Sequence, residues 1–526
     1  MLRRVLIIAC IALAPAFGSA SAGNGDSQAA AAMHWVHEGR PTRQAMQLTQ
    51  VLLHAGDLGL RPADYDAATL AALAQRLDSA HGSADETARL NAQLESAARR
   101  LLHDLHEGRV DPRKAGFELD AQRPAFDAAA ASAVLAQAAD VNVAVSRYEP
   151  PFYHYALLKT ALQRYRHLST DRTLTALPKP SARSVKPGEQ YAGAAALRRL
   201  LFELGDLPSP GDDATTLDPA LVQALQRFQR RHGLDADGGL GPRTLAALTT
   251  PLTQRVQQIE LTLERWRWLP QFDTPPIIVN IPQFRLFAFR TVNDRAADIM
   301  QMDVIVGQTY AHTRTPVFVG EMRYVVYRPF WDVPRSIVLR EMLPQILRHA
   351  EYLQRNHLEL VNGPADSSPT AAPTPANIEA LAAGRLRLRQ RPGDDNALGL
   401  IKFVFPNSHN VYMHSTPARR LFAESRRAFS HGCIRVSDPV GLAEFVLRGA
   451  APGWDRARIQ AAMQGADAVR VPLRNPLKVM ILYGTVLATE GGPILFFDDI
   501  YALDRQLARL LQTGTRSAPP AQAPGL

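Results

Sequence analysis

Two short stretches carry the groups best suited to covalent chemistry: Tyr412-Met413-His414-Ser415-Thr416-Pro417 and Ser430-His431-Gly432-Cys433-Ile434-Arg435-Val436. Nucleophilic acyl transfer needs a thiolate, a base to generate it and donors for an oxyanion. Cys433 supplies the sulfur. A free thiol with a pKa near ~8.5 is mostly protonated at neutral pH, and a neighbouring imidazole corrects that. Two histidines are candidates. His431 lies two residues away and shares a face with Cys433 if the segment is extended. His414 is distant in sequence but ends the strand-like run Asn410-Val411-Tyr412-Met413. Gly432 allows close approach of the backbone to a substrate, and the N–H groups around Gly432 and Cys433 are candidate oxyanion donors. The sequence holds no Gly-rich phosphate loop and no paired metal-ligand motif, so neither metal nor cofactor is expected.

The chain has only two cysteines, Cys10 and Cys433. Its start reads as a secretory signal: basic Arg3 and Arg4, an apolar run from Val5 to Phe17, and small residues at Ser19-Ala20-Ser21-Ala22 that place cleavage near Ala22. Ile7-Ile8-Ala9-Cys10 loosely resembles a lipobox but comes too early, with apolar residues still to follow. The apolar run is too short to be a membrane anchor, and no other stretch reaches the roughly 20 residues a spanning helix needs. Periplasmic localisation, with no stable membrane anchor after cleavage, is therefore expected. The processed chain keeps one thiol, which in an oxidising compartment must pair between chains or react. The formal charge of +9 falls to +7 without Arg3 and Arg4. A basic surface suits nucleic acid, membrane or an acidic polymer; secretion argues against nucleic acid, and cell-wall peptides are rich in carboxylates.

At 526 residues the chain exceeds a single core and predicts several domains. After a signal peptide at 1–22, residues 23–180 are Ala- and Leu-rich with helical spacing, as in Ala45, Leu48, Leu52 and Leu53. A proline-bearing linker around 177–188 leads to a small module at 190–250. There Leu221, Leu225 and Phe228 share a helical face, His232-Gly233 ends the helix, Asp237-Gly238-Gly239-Leu240 makes a tight loop, and Pro242 opens a second helix. This pattern resembles the three-helix peptidoglycan-binding module. A connecting helix at 251–274 ends in Trp266 and Trp268, read as core residues. From 275 to 486 short β-branched and aromatic runs predict a β-rich domain, interrupted at 339–397 by a helical, then Pro/Ser/Ala-rich lid insertion. A closing helix and tail fill 487–526. The fold class is multidomain α+β.

The spacing from His414 to Ser430-His431-Gly432-Cys433 resembles the signature of the L,D-transpeptidases of the YkuD family. The domain order, together with Thr313-Arg314-Thr315-Pro316, Pro329-Phe330-Trp331-Asp332 and Asn396-Ala397-Leu398-Gly399, is similar to its long, YcbB-like periplasmic branch. The resemblance implies Cys433 as nucleophile and His414 as general base and acid, with Ser430, His431 and Gly432 shaping the site or the oxyanion hole. Arg435 is either a partner for a substrate carboxylate or a structural ion pair. Tyr412 and Trp331 are candidate substrate-binding residues, although Trp331 is equally a core tryptophan. The implied reaction is attack on a tetrapeptide stem of peptidoglycan, release of D-Ala, a thioester, and transfer to an amine to give 3→3 cross-links, with sensitivity to carbapenems. A carboxypeptidase or endopeptidase, a lipoprotein-anchoring enzyme, and a non-catalytic wall-binding protein are the alternatives. Peptidoglycan stem peptides are the expected partners, with other cell-wall synthases as candidates.

Overall fold

A computed structural model describes residues 34–119, 125–211, 215–291, 299–449 and 451–513. The expected signal peptide, Cys10 and the last stretch of the tail lie outside the described residues. The chain forms two compact units: one holds the chain up to Pro275 and from Tyr483 onward, the other Pro276–Ala288 and Met300–Leu482. No described helix is long and apolar enough to cross a membrane. Helical and β-rich parts are segregated along the chain, so the molecule is multidomain α+β.

In the first unit, helices α1 (Arg43–Leu53), α2 (Ala67–Ser79) and α3 (Ala84–His106) bury one apolar face each into a common core. α3 is started by a capping box in which Ser83 Oγ accepts the Glu86 N–H while the Glu86 carboxylate accepts the Ser83 N–H. The small module follows as three helices, Ala194–Glu203, Pro219–Arg231 and Pro242–Leu248. Asp218 caps the second, which ends at His232 with Gly233 in the left-handed region (φ 64°). The tight loop is tied back by Gln229, whose amide donates to Asp237 Oδ1 (2.7 Å) and the Gly239 carbonyl (3.0 Å) and accepts the Gly238 N–H (2.8 Å). Arg231 and Asp206 form a buried ion pair beside it. The connecting helix runs Leu252–Arg267, and Trp266 and Trp268 are core residues. The C-terminal segment is a short hairpin, Val486–Ala488 with Ile494–Phe496, before the closing helix Leu503–Gln512.

In the second unit the main sheet closes on itself. Ile401–Val404 pairs with Met413–His414, which pairs with Ile434–Val436, then Met300–Gly307, Arg285–Ala288, Ile277–Asn280, Val469–Leu482 and Val317–Tyr327, which returns to Ile401–Val404. Closure leaves no open edge among these strands and fills the interior with alternate side chains such as Ile401, Phe403, Met413 and Ile434.

The insertion differs from the expected helical lid. It carries its own four-stranded sheet, built from Trp331–Asp332, Leu358–Val361, Thr370–Ala371 and Arg387–Gln390. Short helical turns and the helix Pro375–Ala382 cover a separate small core containing Ile337, Leu360, Leu381 and Leu388. It is thus a folded α/β subdomain opening at Trp331, ahead of the expected 339. Strands of two to four residues separated by Pro and Ser give too little alternation to be read as a sheet.

Candidate active site

Strand register brings the chemistry together. Lys402 lies opposite His414 across one antiparallel pair, and His414 lies beside Arg435 across a parallel pair. Laterally paired residues project to the same face. The next row, Phe403, Met413 and Ile434, therefore fills the interior, and Lys402, His414 and Arg435 face outward together. Because side chains alternate along a strand, Tyr412 and Cys433 fall on the same outward side. These strands floor a cleft of about 430 Å³ lined by Tyr412, His414, Cys433 and Arg435 on one side and by Trp331, Arg340 and Glu341 on the other.

Cys433 sits on a tight loop rather than an extended strand. Gly432 has φ 114°, a conformation that β-carbon-bearing residues rarely adopt, so the alternation that would put His431 beside Cys433 is broken. Ser430 Oγ donates to the Cys433 carbonyl and accepts the Gly432 N–H (3.1 Å). That N–H is therefore spent inside the loop, which corrects the expectation that it joins an oxyanion hole. The loop is anchored beneath by Thr315, whose buried hydroxyl donates to the Gly432 carbonyl (2.8 Å) and accepts the Gly307 N–H (2.9 Å). His431 turns outward, its Nε2 2.8 Å from Glu341 Oε1 on the insertion.

The thiol of Cys433 contacts the Asn410 carbonyl (3.8 Å) and the backbone N–H and phenol of Tyr412. Burial pushes the thiol up, opposed by the Tyr412 hydrogen bonds and the charges of Lys402 and Arg435. Tyr412 is in turn held by a hydrogen bond with Trp331, and its phenol is pushed well above the usual range, first by burial and then by the sulfur. His414 Nδ1 lies 2.6 Å from the Ser415 carbonyl, which assigns the proton to Nδ1 and leaves Nε2 as a lone-pair acceptor. Burial, with the Arg435 charge next, lowers His414 to about 3, so the imidazole is neutral. Among the described residues no hydrogen bond joins His414 to Cys433; such bonds often tighten only with substrate bound. Arg435 has no carboxylate partner among the described residues, and its Nε is buried without a hydrogen bond.

Three contributors were not singled out in the sequence: Lys402, Thr315 and Glu341. Lys402 is the lone charge in the apolar run Ile401-Lys402-Phe403-Val404-Phe405, which by itself reads only as a side chain reaching for solvent.

Residues 275–459 match the family model described as the L,D-transpeptidase catalytic domain (YkuD), residues 27–162 that of a scaffold domain, and residues 191–248 that described as "Putative peptidoglycan binding domain". Residues 275–459 are thus similar to YkuD-type L,D-transpeptidase catalytic domains, and residues 191–248 to peptidoglycan-binding domains. A curated relative from Haemophilus influenzae, described as "Putative L,D-transpeptidase", is 31% identical over 254 residues, covering 48% of this chain and 49% of its own length. The chain thus spans about half the length of the curated relative it matches. Among solved structures, an L,D-transpeptidase from Xylanimonas cellulosilytica is 16% identical with a TM-score of 0.18, covering 58% of this chain and 100% of that one. A fused Zn-dependent amidase, peptidase and peptidoglycan-binding protein from Clostridium acetobutylicum is 12% identical with a TM-score of 0.15, over 58% and 100%. Scores this low establish no shared fold.

Proposed function

We propose that the protein is a periplasmic cell-wall transpeptidase in which Cys433 carries the acyl group. The observation that supports this most is the outward row of Lys402, His414 and Arg435 beside Tyr412 and Cys433, facing one cleft within the matched catalytic domain. The sulfur attacks the carbonyl carbon of the third residue of a tetrapeptide stem, while the thiol proton passes to His414 Nε2. The bond to the terminal D-Ala breaks, D-Ala leaves as the amine with that proton, and a thioester remains. The side-chain amine of a second stem then attacks the thioester and its proton passes by way of His414 to the departing sulfur, restoring the thiol and leaving a 3→3 cross-link. Water in place of the amine would give a tripeptide.

A neutral, buried His414 and a thiol above its ordinary range argue against a resting thiolate–imidazolium pair. Deprotonation is then coupled to attack on the bound donor. Arg435, a half-buried cation with its Nε unsatisfied and no carboxylate partner among the described residues, suits a carboxylate of the stem peptide. The Cys433 N–H is the oxyanion donor left by the loop geometry.

The test is product analysis by mass spectrometry after incubation with purified disaccharide-tetrapeptide. A dimer that has lost one D-Ala, absent with Cys433→Ala, is expected. Tripeptide monomers alone would favour the hydrolase, and wall binding without turnover in either protein would overturn the enzymatic reading.

A further inference from the structure

Lys402 occupies an unusual position for a lysine. It is half-buried on the strand Ile401–Val404, and its ammonium lies 4.1 Å from the centroid of the Tyr412 ring. Among the described residues no carboxylate comes within ion-pair distance of it; Asp332 and Asp366 act on it only through space. It does not line the cleft, so it is not placed to contact substrate. A half-buried cation with no counter-charge beside it gives up part of its hydration without return, and a purely structural role would be served as well by an apolar residue. The negative charge that could answer it is the one that develops on the sulfur next to Tyr412.

We infer that Lys402 is a positioning residue of this site: its ammonium, seated on the face of Tyr412 and in register with His414, holds the Tyr412 phenol against Cys433 and favours negative charge on that sulfur. The inference rests on Cys433 as the nucleophile. Two interactions act together. The cation–π contact fixes the phenol ring, whose hydroxyl hydrogen-bonds the sulfur. The charge itself acts on the thiolate between two half-buried groups, where screening is weaker than in bulk water. The other charged or titratable groups around the sulfur are Tyr412, His414 and Arg435 beside it, and His312, His409, His431, Arg340 and Glu341 around the cleft.

The experiment is the pH dependence of iodoacetamide alkylation of Cys433 in the full chain, read by mass spectrometry of the peptide bearing Cys433 so that Cys10 does not interfere. Wild type is compared with Lys402→Met, Lys402→Gln and Lys402→Arg, with D-Ala release from tetrapeptide measured in parallel. Lys402→Met and Lys402→Gln should move the alkylation profile to higher pH by about one unit, a roughly tenfold slower reaction at pH 7, and Lys402→Arg should restore it. A wild-type profile in Lys402→Met overturns the inference. So does failure of both neutral variants to fold while Lys402→Arg is wild type in stability but shifted in profile. Failure of the underlying reading looks different: Cys433→Ala would still release D-Ala.

Discussion

Thr315→Val tests whether the loop bearing Cys433 is held from below. The valine keeps the shape of threonine and removes one hydroxyl. That hydroxyl serves two buried backbone groups: it donates to the Gly432 carbonyl and accepts the Gly307 N–H. Thr315 is 1% exposed, and both bonds are buried, so water cannot replace them in place. Each stranded buried group costs about 1–3 kcal/mol, and the pair predicts a loss of roughly 2–6 kcal/mol from the β-rich unit. Relief by a small movement of the 430–433 loop would trade stability for misplacement of Cys433, so turnover falls as well. The assay is denaturant unfolding followed by circular dichroism, alongside the rate of D-Ala release. Thr315→Ser, which keeps the hydroxyl, should remain within about 1 kcal/mol of wild type, losing only one methyl group. Equal stability of Thr315→Val and wild type, or equal loss in Val and Ser, would refute the reasoning.

Arg435→Leu should raise the KM for tetrapeptide roughly ten- to a hundredfold, the worth of a charged hydrogen bond, while leaving the melting temperature unchanged or higher; a lower melting temperature would instead mark a structural ion pair. Burial lowers His154 and His414 to about 3 and His232 well below its ordinary value. Their folded pKa values lie below the unfolded ones, so the unfolded chain takes up protons first as pH falls. Stability is full above pH ~6.5 and declines toward pH 3 by up to about 1.4 kcal/mol per pH unit for each histidine; melting temperatures flat between pH 7.5 and 5 would contradict this. In the small module, Arg231→Met strands the Asp206 carboxylate in the interior and should cost about 3–5 kcal/mol, visible as a lowered melting temperature.

The candidate stretches stood out because His414 ends one short run and Ser430, His431, Gly432 and Cys433 are contiguous residues with distinctive chemistry. The small module was legible because Asp218, Gly233 and Pro242 mark helix ends by local preference alone. What the sequence hid depends on register and on long-range pairing. Nothing local says that Lys402, His414 and Arg435 stand side by side; that follows only when three strands align. A lone lysine in an apolar strand reads as a side chain reaching for solvent. The spacing of His431 and Cys433 suggested a shared face, and the left-handed turn at Gly432 undid it. The first part of the insertion is helical, as read, but its sheet was missed because it is assembled from short strands separated in sequence.

The central claim, that Cys433 accepts the acyl group from a stem peptide, is tested most directly by the intact mass of the protein after brief mixing with a tetrapeptide donor and acid quench. The account predicts a mass increase equal to the donor less D-Ala, mapped to Cys433, reversed by an added amine and absent in Cys433→Ala. Turnover of the donor with no adduct on Cys433, or an adduct that persists in Cys433→Ala, would contradict it.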